Sequence, residues 1–327
     1  MQRQVRNGLR RESDQSGPVF NDPFLGDNRV RAAGRRGLGA SGMILIAGLL
    51  PASETVAAPQ FEFEETKQLV ALVEAGTQLV EERGVEAACR EFRVEGSRWF
   101  VEDRYLFVLD MNGESLCHPA RPSLEGRVLL DLKDPHGYPI VQTFIRELEG
   151  ENEEAWVHYL WPPPNDSTFY WKTSYLRQTR DAEGLDCIVG SGRYRMKMER
   201  HFVVEQVNDA ADLIQQRGEA AFEVLRDKAS GFLFYDNYVF VLDETGLLLV
   251  NPGFPSQEGK NLIDLEDVHG KRFVREMIDA LQEADSAWID YMWPRPGDEP
   301  ASPKSAYIRW AEFEGKRLLV GAGLYVY

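Results

Sequence analysis

Two pairs of short segments carry the side chains best able to do chemistry. The first pair is "WVHYLWPPP" (156–164) and "KTSYLR" (172–177); the second is "WIDYMWPRP" (288–296) and "KSAYIR" (304–309). Each pair supplies one lysine among tyrosines and tryptophans. An ammonium enclosed by aromatic rings offers charge-assisted hydrogen bonds where water is excluded, which is chemistry for holding an anion. Strand alternation limits which residues act together. Tyr159 and Trp161 share a face, whereas Trp156 opposes Tyr159, and Lys172 and Tyr175, three apart, cannot both point inward without a bulge. Signatures of catalysis do not accompany these groups: the sequence has no H-E-x-x-H, no G-x-S-x-G, no P-loop and no matched Cys and His pattern. The chain is therefore read as no enzyme. "GSG" (190–192) and "GAG" (321–323) are half of a dinucleotide fingerprint, and close strand packing explains them better.

An anion would need such a local cation because the body of the chain is acidic. The 327 residues carry a formal charge of −16. Residues 1–58 hold eight Arg against five acids, which leaves 29 basic and 48 acidic residues in the remainder, or −19. A surface that acidic repels phosphate backbones, so nucleic acid is excluded as a partner. The first 58 residues read as a signal peptide and leader. Arg29, Arg31, Arg35 and Arg36 precede the apolar run 37–50 and the small-residue stretch "TVAAP" (55–59). The run is short for a bilayer span, so the chain is expected to be exported to the periplasm, with membrane anchoring by 37–50 as the alternative. Cys89, Cys117 and Cys187 show no C-x-x-C spacing and read as buried small hydrophobes; an exported protein could join two of them, and the odd count leaves at least one free. No metal site and no cofactor are expected.

The elements that must position the lysines occur twice. "YLFVLDMNGESLCHP" (105–119) lies over "YVFVLDETGLLLVNP" (238–252) at an offset of 133, which also superposes Gly126 on Gly259, Asp131 on Asp264, Asp134 on Asp267 and His136 on His269. Each copy opens with a helical stripe: Leu69, Val73, Leu79 and Val80 in one, and Val203, Val207, Ala210, Ala211 and Ile214 in the other. A shorter helix carries "EAACREF" or "EAAFEVL". A hairpin, a loop with a short amphipathic helix and three strands follow. The D-x-H-G loops, with Asp131, Asp134, Asp264 and Asp267, read as turn and cap chemistry, and their histidines as capping the following helix. The pattern predicts an α+β fold with one mainly antiparallel sheet per copy, in domains 1–58, 59–199 and 200–327.

The ordered motifs "YLFVLDMNGESLCHP", "EGRVLLDLKDPHGYP", "WVHYLWPPP", "KTSYLR" and "VGSGRY", each with a second version, resemble the Cache family of extracytoplasmic sensing domains, in its single-Cache type 2 branch. The resemblance covers 61–327. It implies two PAS-like modules, each a long N-terminal helix plus a curved, mainly antiparallel sheet with short flanking helices and a small-molecule pocket. It also implies a small organic acid as ligand, of two to four carbons. Tyr159 and Trp161 are then the pocket wall, Lys172 the cation and His118 a further donor, with Tyr175 beside them. Tyr291, Trp293, Lys304 and Tyr307 are the second set. Asn251 replaces the histidine there and removes a possible cationic partner, which favours the first copy as the binding one. With no span or kinase after Tyr327 in this sequence, occupancy is expected to pass to a membrane receptor, kinase or transporter. The long helices suggest a homodimer. The competing expectation is a non-binding structural or interaction module of the cell envelope.

Overall fold

The computed structural model describes residues 61–150 and 152–326. The leader expected over 1–58 lies outside them. The first long helix, α1 (Glu64–Phe92), buries Leu69, Val73 and Val80 completely. It breaks at Gly84, whose φ of 76° is left-handed and where a Cβ would collide with the Glu183 carboxylate. The predicted short helix "EAACREF" is the stretch beyond this break, and its first amide, Val85 N–H, donates to Asp181.

Strands β1 (Phe100–Val101), β2 (Arg104–Asp110) and β3 (Ser115–Cys117) follow. Asp110 makes the β2–β3 turn by accepting the amides of Asn112 and Glu114, with Gly113 at φ 82°. Helix α2 (Ile140–Glu147) and strands β4 (Glu154–Trp161), β5 (Tyr170–Arg180) and β6 (Asp186–Tyr194) complete the first sheet, in the order β1-β2-β6-β5-β4 with β3 on β2.

The second copy repeats this plan. Helix α3 (Arg200–Arg217) ends at Gly218 and is followed by α4 (Ala221–Arg226), which carries "EAAFEVL". Its stripe of Val203, Val207, Ala210, Ala211 and Ile214 is wholly buried. Next come β7 (Leu233–Phe234), β8 (Asn237–Tyr238), β9 (Phe240–Asp243) and β10 (Leu248–Val250), then α5 (Phe273–Glu283), β11 (Ser286–Pro294), β12 (Ala301–Phe313) and β13 (Lys316–Tyr325). The sheet order is β10-β9-β13-β12-β11, with β7 and β8 pairing separately. Every pairing of named strands is antiparallel. In each copy the long helix covers one sheet face, and the short helix, α2 or α5, packs on the edge strand toward the other.

The D-x-H-G aspartates fix the loop to the outer strand. Asp134 accepts the amides of His136 (2.8 Å), Tyr138 (3.0 Å) and, on β4, Leu160 (3.1 Å). Asp267 does the same for His269, Lys271 and, on β11, Met292. The histidines do not cap the helices as expected: Pro139 and Arg272 occupy the N-cap positions with no side-chain cap, His136 packs on Trp171 and His269 is exposed. The aspartate side chain organises the loop itself, and the Ile140 amide at the start of α2 is served by the Leu132 carbonyl.

A disulfide joins Cys89 on α1 to Cys117 on β3, and Cys187 is buried and free. The copies meet where the turn after β7 reaches the first sheet. The Phe234 ring stacks on His158 at 4.1 Å, and the Tyr235 hydroxyl lies 3.1 Å from Thr173 Oγ1. Glu199, only 1% exposed, precedes α3 and accepts the amides of Glu62 and Phe63 at the start of α1. No helix among the described residues is long and apolar enough to cross a membrane.

Asp134→Ala leaves three amides without their acceptor, at a cost of about 1–3 kcal/mol for each buried group that water cannot reach. The expected result in urea titration is a loss of roughly 2–4 kcal/mol with an unchanged slope; a loss under about 0.5 kcal/mol contradicts this role.

Candidate ligand-binding site

Register builds the site. Lys172 on β5 lies opposite Tyr159 on β4 and opposite Tyr194 on β6, so all three leave the same face of the sheet. In the second copy Lys304 on β12 lies between Tyr291 on β11 and Tyr325 on β13 in the same way. Each lysine runs across β6 or β13 over a glycine. A Cβ at Gly192 would stand 2.6 Å from Lys172 Cε, and one at Gly323 would stand 2.9 Å from Lys304 Cε. The glycine pairs singled out in the sequence therefore serve close packing, and one of them makes room for the ammonium.

The first hollow is walled by Tyr105, Phe107, His118, Tyr159, Trp161 and Lys172, and roofed by Leu132, Ile140, Val141 and Phe144. Lys172 is 1% exposed. Its ammonium donates to the Tyr105 hydroxyl at 3.1 Å and lies 4.2 Å from the centre of that ring. Trp161 Nε1–H donates to the same hydroxyl at 3.1 Å, and Tyr159 Oη pairs with Ser174 Oγ at 2.9 Å. No carboxylate within salt-bridge distance of Lys172 exists among the described residues. The space open to the centre of a water molecule is about 30 Å³. One water needs about 10–15 Å³ on that measure, so a few heavy atoms fit.

His118 lies in the wall with its ring 5.2 Å from that of Tyr105, and its Nδ1 has no hydrogen-bond partner. Burial, with the nearby Lys172 charge, pulls it down to about 3, so it is neutral. The expectation that exchanging His118 for Asn251 removes a cation is thereby corrected. What is exchanged is one neutral hydrogen-bonding group for another.

The second hollow is walled by Tyr238, Phe240, Asn251, Phe273, Tyr291 and Trp293 and leaves about 20 Å³ on the same measure. Lys304 is again 1% exposed, 4.1 Å from the centre of the Tyr238 ring and 5.0 Å from that of Tyr325. Unlike Lys172, its Nζ has no hydrogen-bond partner among the described residues. Burial pulls it down to about 7, only partly countered by Asp236. Asp236 is itself paired with Arg295.

His118, Tyr159, Trp161 and Lys172 thus line one hollow, and Tyr291 and Trp293 line the other, whereas Lys304 lies beside Tyr291 without lining that hollow and borders a neighbouring surface depression. Tyr175 and Tyr307 do not join them. Tyr175 lies on the α1 side, its ring 4.8 Å from Trp156 and its hydroxyl donating to Glu154, and Tyr307 packs on Trp288 on the α3 side. Their inclusion as ligand contacts is overturned by unbroken strand alternation. Missed at the sequence level were Tyr105 and Tyr194, with Tyr238 and Tyr325. Their recurrence at equivalent places in both copies was the available signal.

A family model described as "Cache domain" matches residues 93–217, and one described as "Single Cache domain 2" matches residues 203–326. The protein belongs to the Cache family. Part of this Cache protein is 29% identical over 112 residues to the methyl-accepting chemotaxis protein McpP of Pseudomonas putida, covering 34% of this chain and 20% of that protein, so only a fifth of the relative's length is matched. Among solved structures, a periplasmic sensor domain of a chemotaxis protein is 29% identical, with 39% of this chain and 95% of that one covered and a TM-score of 0.34. A Cache chemosensory domain described for carboxylic acid recognition is 23% identical, with 40% and 94% covered and a TM-score of 0.35.

The sign of the Lys304 effect on stability follows from its environment. The unfolded lysine keeps its proton up to about 10.5, and the folded one releases it near 7. The folded state therefore carries the full penalty below 7, and the penalty fades as pH rises from 7 to 10.5. Lys304→Met is expected to stabilise the protein by a few kcal/mol at pH 6, with a gain that shrinks through that window, as read by denaturant midpoints. Destabilisation at pH 6 contradicts the assignment.

Proposed function

We propose that the protein is an exported sensor that binds a small organic acid in the hollow of its first Cache module and hands occupancy to a membrane receptor, kinase or transporter. The observation that carries the proposal is the Lys172 ammonium, closed off from water with one hydrogen bond. An ammonium has three N–H donors, and a buried charge is costly until it is paired. A carboxylate supplies both the missing charge and the missing acceptors. A neutral apolar molecule supplies neither, and a cation is repelled. His118 Nδ1, unpartnered beside the ammonium, can serve a second oxygen or a hydroxyl. The space favours acids of two or three carbons over four. Sensing rather than catalysis is supported by the two Cache modules and by the likeness to a chemotaxis receptor. Export is supported by the Cys89–Cys117 disulfide, a bond of oxidising compartments.

Calorimetric titration of the Lys304→Met protein isolates the first hollow. Acetate, propionate or pyruvate is expected to bind at one site, and adding Lys172→Met is expected to weaken that site by at least about thirtyfold, since breaking a buried charge pair costs about 2–5 kcal/mol. Absence of heat with all three acids, or unchanged affinity in the double variant, contradicts the proposal.

A further inference from the structure

The outer edges of the two sheets differ in one detail. In the second copy the Lys271 ammonium donates to the outward carbonyl of Asp290 on the edge strand β11 at 2.6 Å and pairs with Glu276 of α5 at 3.0 Å. When the copies are aligned, Tyr138, His158 and Thr143 stand where Lys271, Asp290 and Glu276 do. The first copy thus keeps the edge carbonyl but replaces the ammonium and its carboxylate with two uncharged side chains. The His158 carbonyl faces outward. Leu160 N–H on β4 donates to Asp134 rather than to β5, and in an unbroken antiparallel ladder the residue two before it turns its amide and carbonyl the same way. The edge residues Trp156, Val157 and His158 line a cleft between the modules, with about 450 Å³ open to the centre of a water molecule against about 30 Å³ in the first hollow.

We propose that this cleft is a second ligand site, for a small organic ammonium ion with an apolar body, whose ammonium occupies the place over β4 that Lys271 occupies over β11. The proposal does not depend on what the first hollow binds. Across the cleft α3 supplies Glu205 and Asp209. Glu205 is paired with His201 at 2.9 Å, and Asp209 has no ion-pair partner among the described residues. Partial loss of water contact, with the charges of Glu147, Glu205 and Asp212, pushes Asp209 up to about 6, a cost that a cation relieves. The positive groups of the wall do not meet this need. Arg146 is paired with Glu147 at 2.8 Å, and Arg217 is the last residue of α3, about 12 Å along the helix axis from Asp209. Burial pulls His158 down to about 3, so its ring is neutral. Trp156, Phe202, Phe232 and Phe234 line the same cleft, which suits an apolar body and offers ring faces to an ammonium. Thr143, 2% exposed, lines it as well, and its Oγ1 has no hydrogen-bond partner.

Calorimetry with 2-phenylethylamine and hexylamine, and with the uncharged 2-phenylethanol and hexanol, reads the site, in about 0.15 M salt so that attraction to the acidic surface at large is screened. Each amine is expected to bind at one site per chain, and each alcohol at least about tenfold more weakly. Asp209→Asn combined with Glu205→Gln is expected to weaken the amines by at least about tenfold, because charge-assisted hydrogen bonds are lost. Tyr138→Lys combined with Thr143→Glu rebuilds the Lys271–Glu276 pair in the first copy and is expected to abolish amine binding in a protein whose circular dichroism is unchanged. Should that variant not fold, the acidic pair alone decides. No heat with either amine, alcohols that bind as well as amines, or amine affinity unchanged in Asp209→Asn with Glu205→Gln overturns the inference. Full amine affinity in the folded, rebuilt variant places the ammonium elsewhere and overturns it as well.

Discussion

A lysine ammonium held inside a sheet module, with no carboxylate to pair it, is the constraint on which the rest of this structure depends. Taking a charge out of water costs several kcal/mol even after the surroundings relax; this chain buries a lysine at Lys172 and again at Lys304, where burial pulls the group down to about 7. The register that places a tyrosine on either side of each lysine, the glycine beneath its stem and the short helix roofing the hollow all serve to keep that charge enclosed. Aromatic faces give partial compensation through cation–π contact at about 4 Å.

The copies have diverged where the hollow meets its supports. At the offset that relates them, Cys89 and Cys117 correspond to Phe222 and Val250, so a covalent tie between long helix and hairpin in one module is an apolar contact in the other. Cys117 immediately precedes His118 in the hollow wall, which fastens that wall to α1. Strand β5 has a double assignment: Lys172 faces the hollow, while the next residue, Thr173, faces the second module and meets Tyr235 and His158. Alternation along one strand therefore places the buried lysine and the inter-module contact side by side.

Much of this was legible before any coordinates. The duplication, the wholly buried α3 stripe and the shared face of Tyr159 and Trp161 all follow from spacing. So did the warning that Lys172 and Tyr175 oppose each other, which the structure enforces against Tyr175. Tyr105 and Tyr194 were not legible as site residues. Tyr105 lies 67 residues from Lys172, and only the order β2-β6-β5 brings them together. The neutrality of His118 depends on burial and on a neighbouring ammonium, quantities that a sequence does not carry. The D-x-H-G histidines misled for a related reason, because the aspartate orders the loop through its own amides and the first amide of α2 finds a backbone carbonyl, which leaves no capping task for the histidine.

The central claim is that the first hollow exists to complete the Lys172 ammonium with a carboxylate. A crystal structure of the protein grown in saturating acetate tests it most directly. The account requires density for the acid inside the aromatic walls, with one oxygen within about 3.2 Å of Lys172 Nζ. An acetate-free hollow under those conditions, or an acid bound elsewhere with Lys172 still resting on Tyr105 alone, would contradict it.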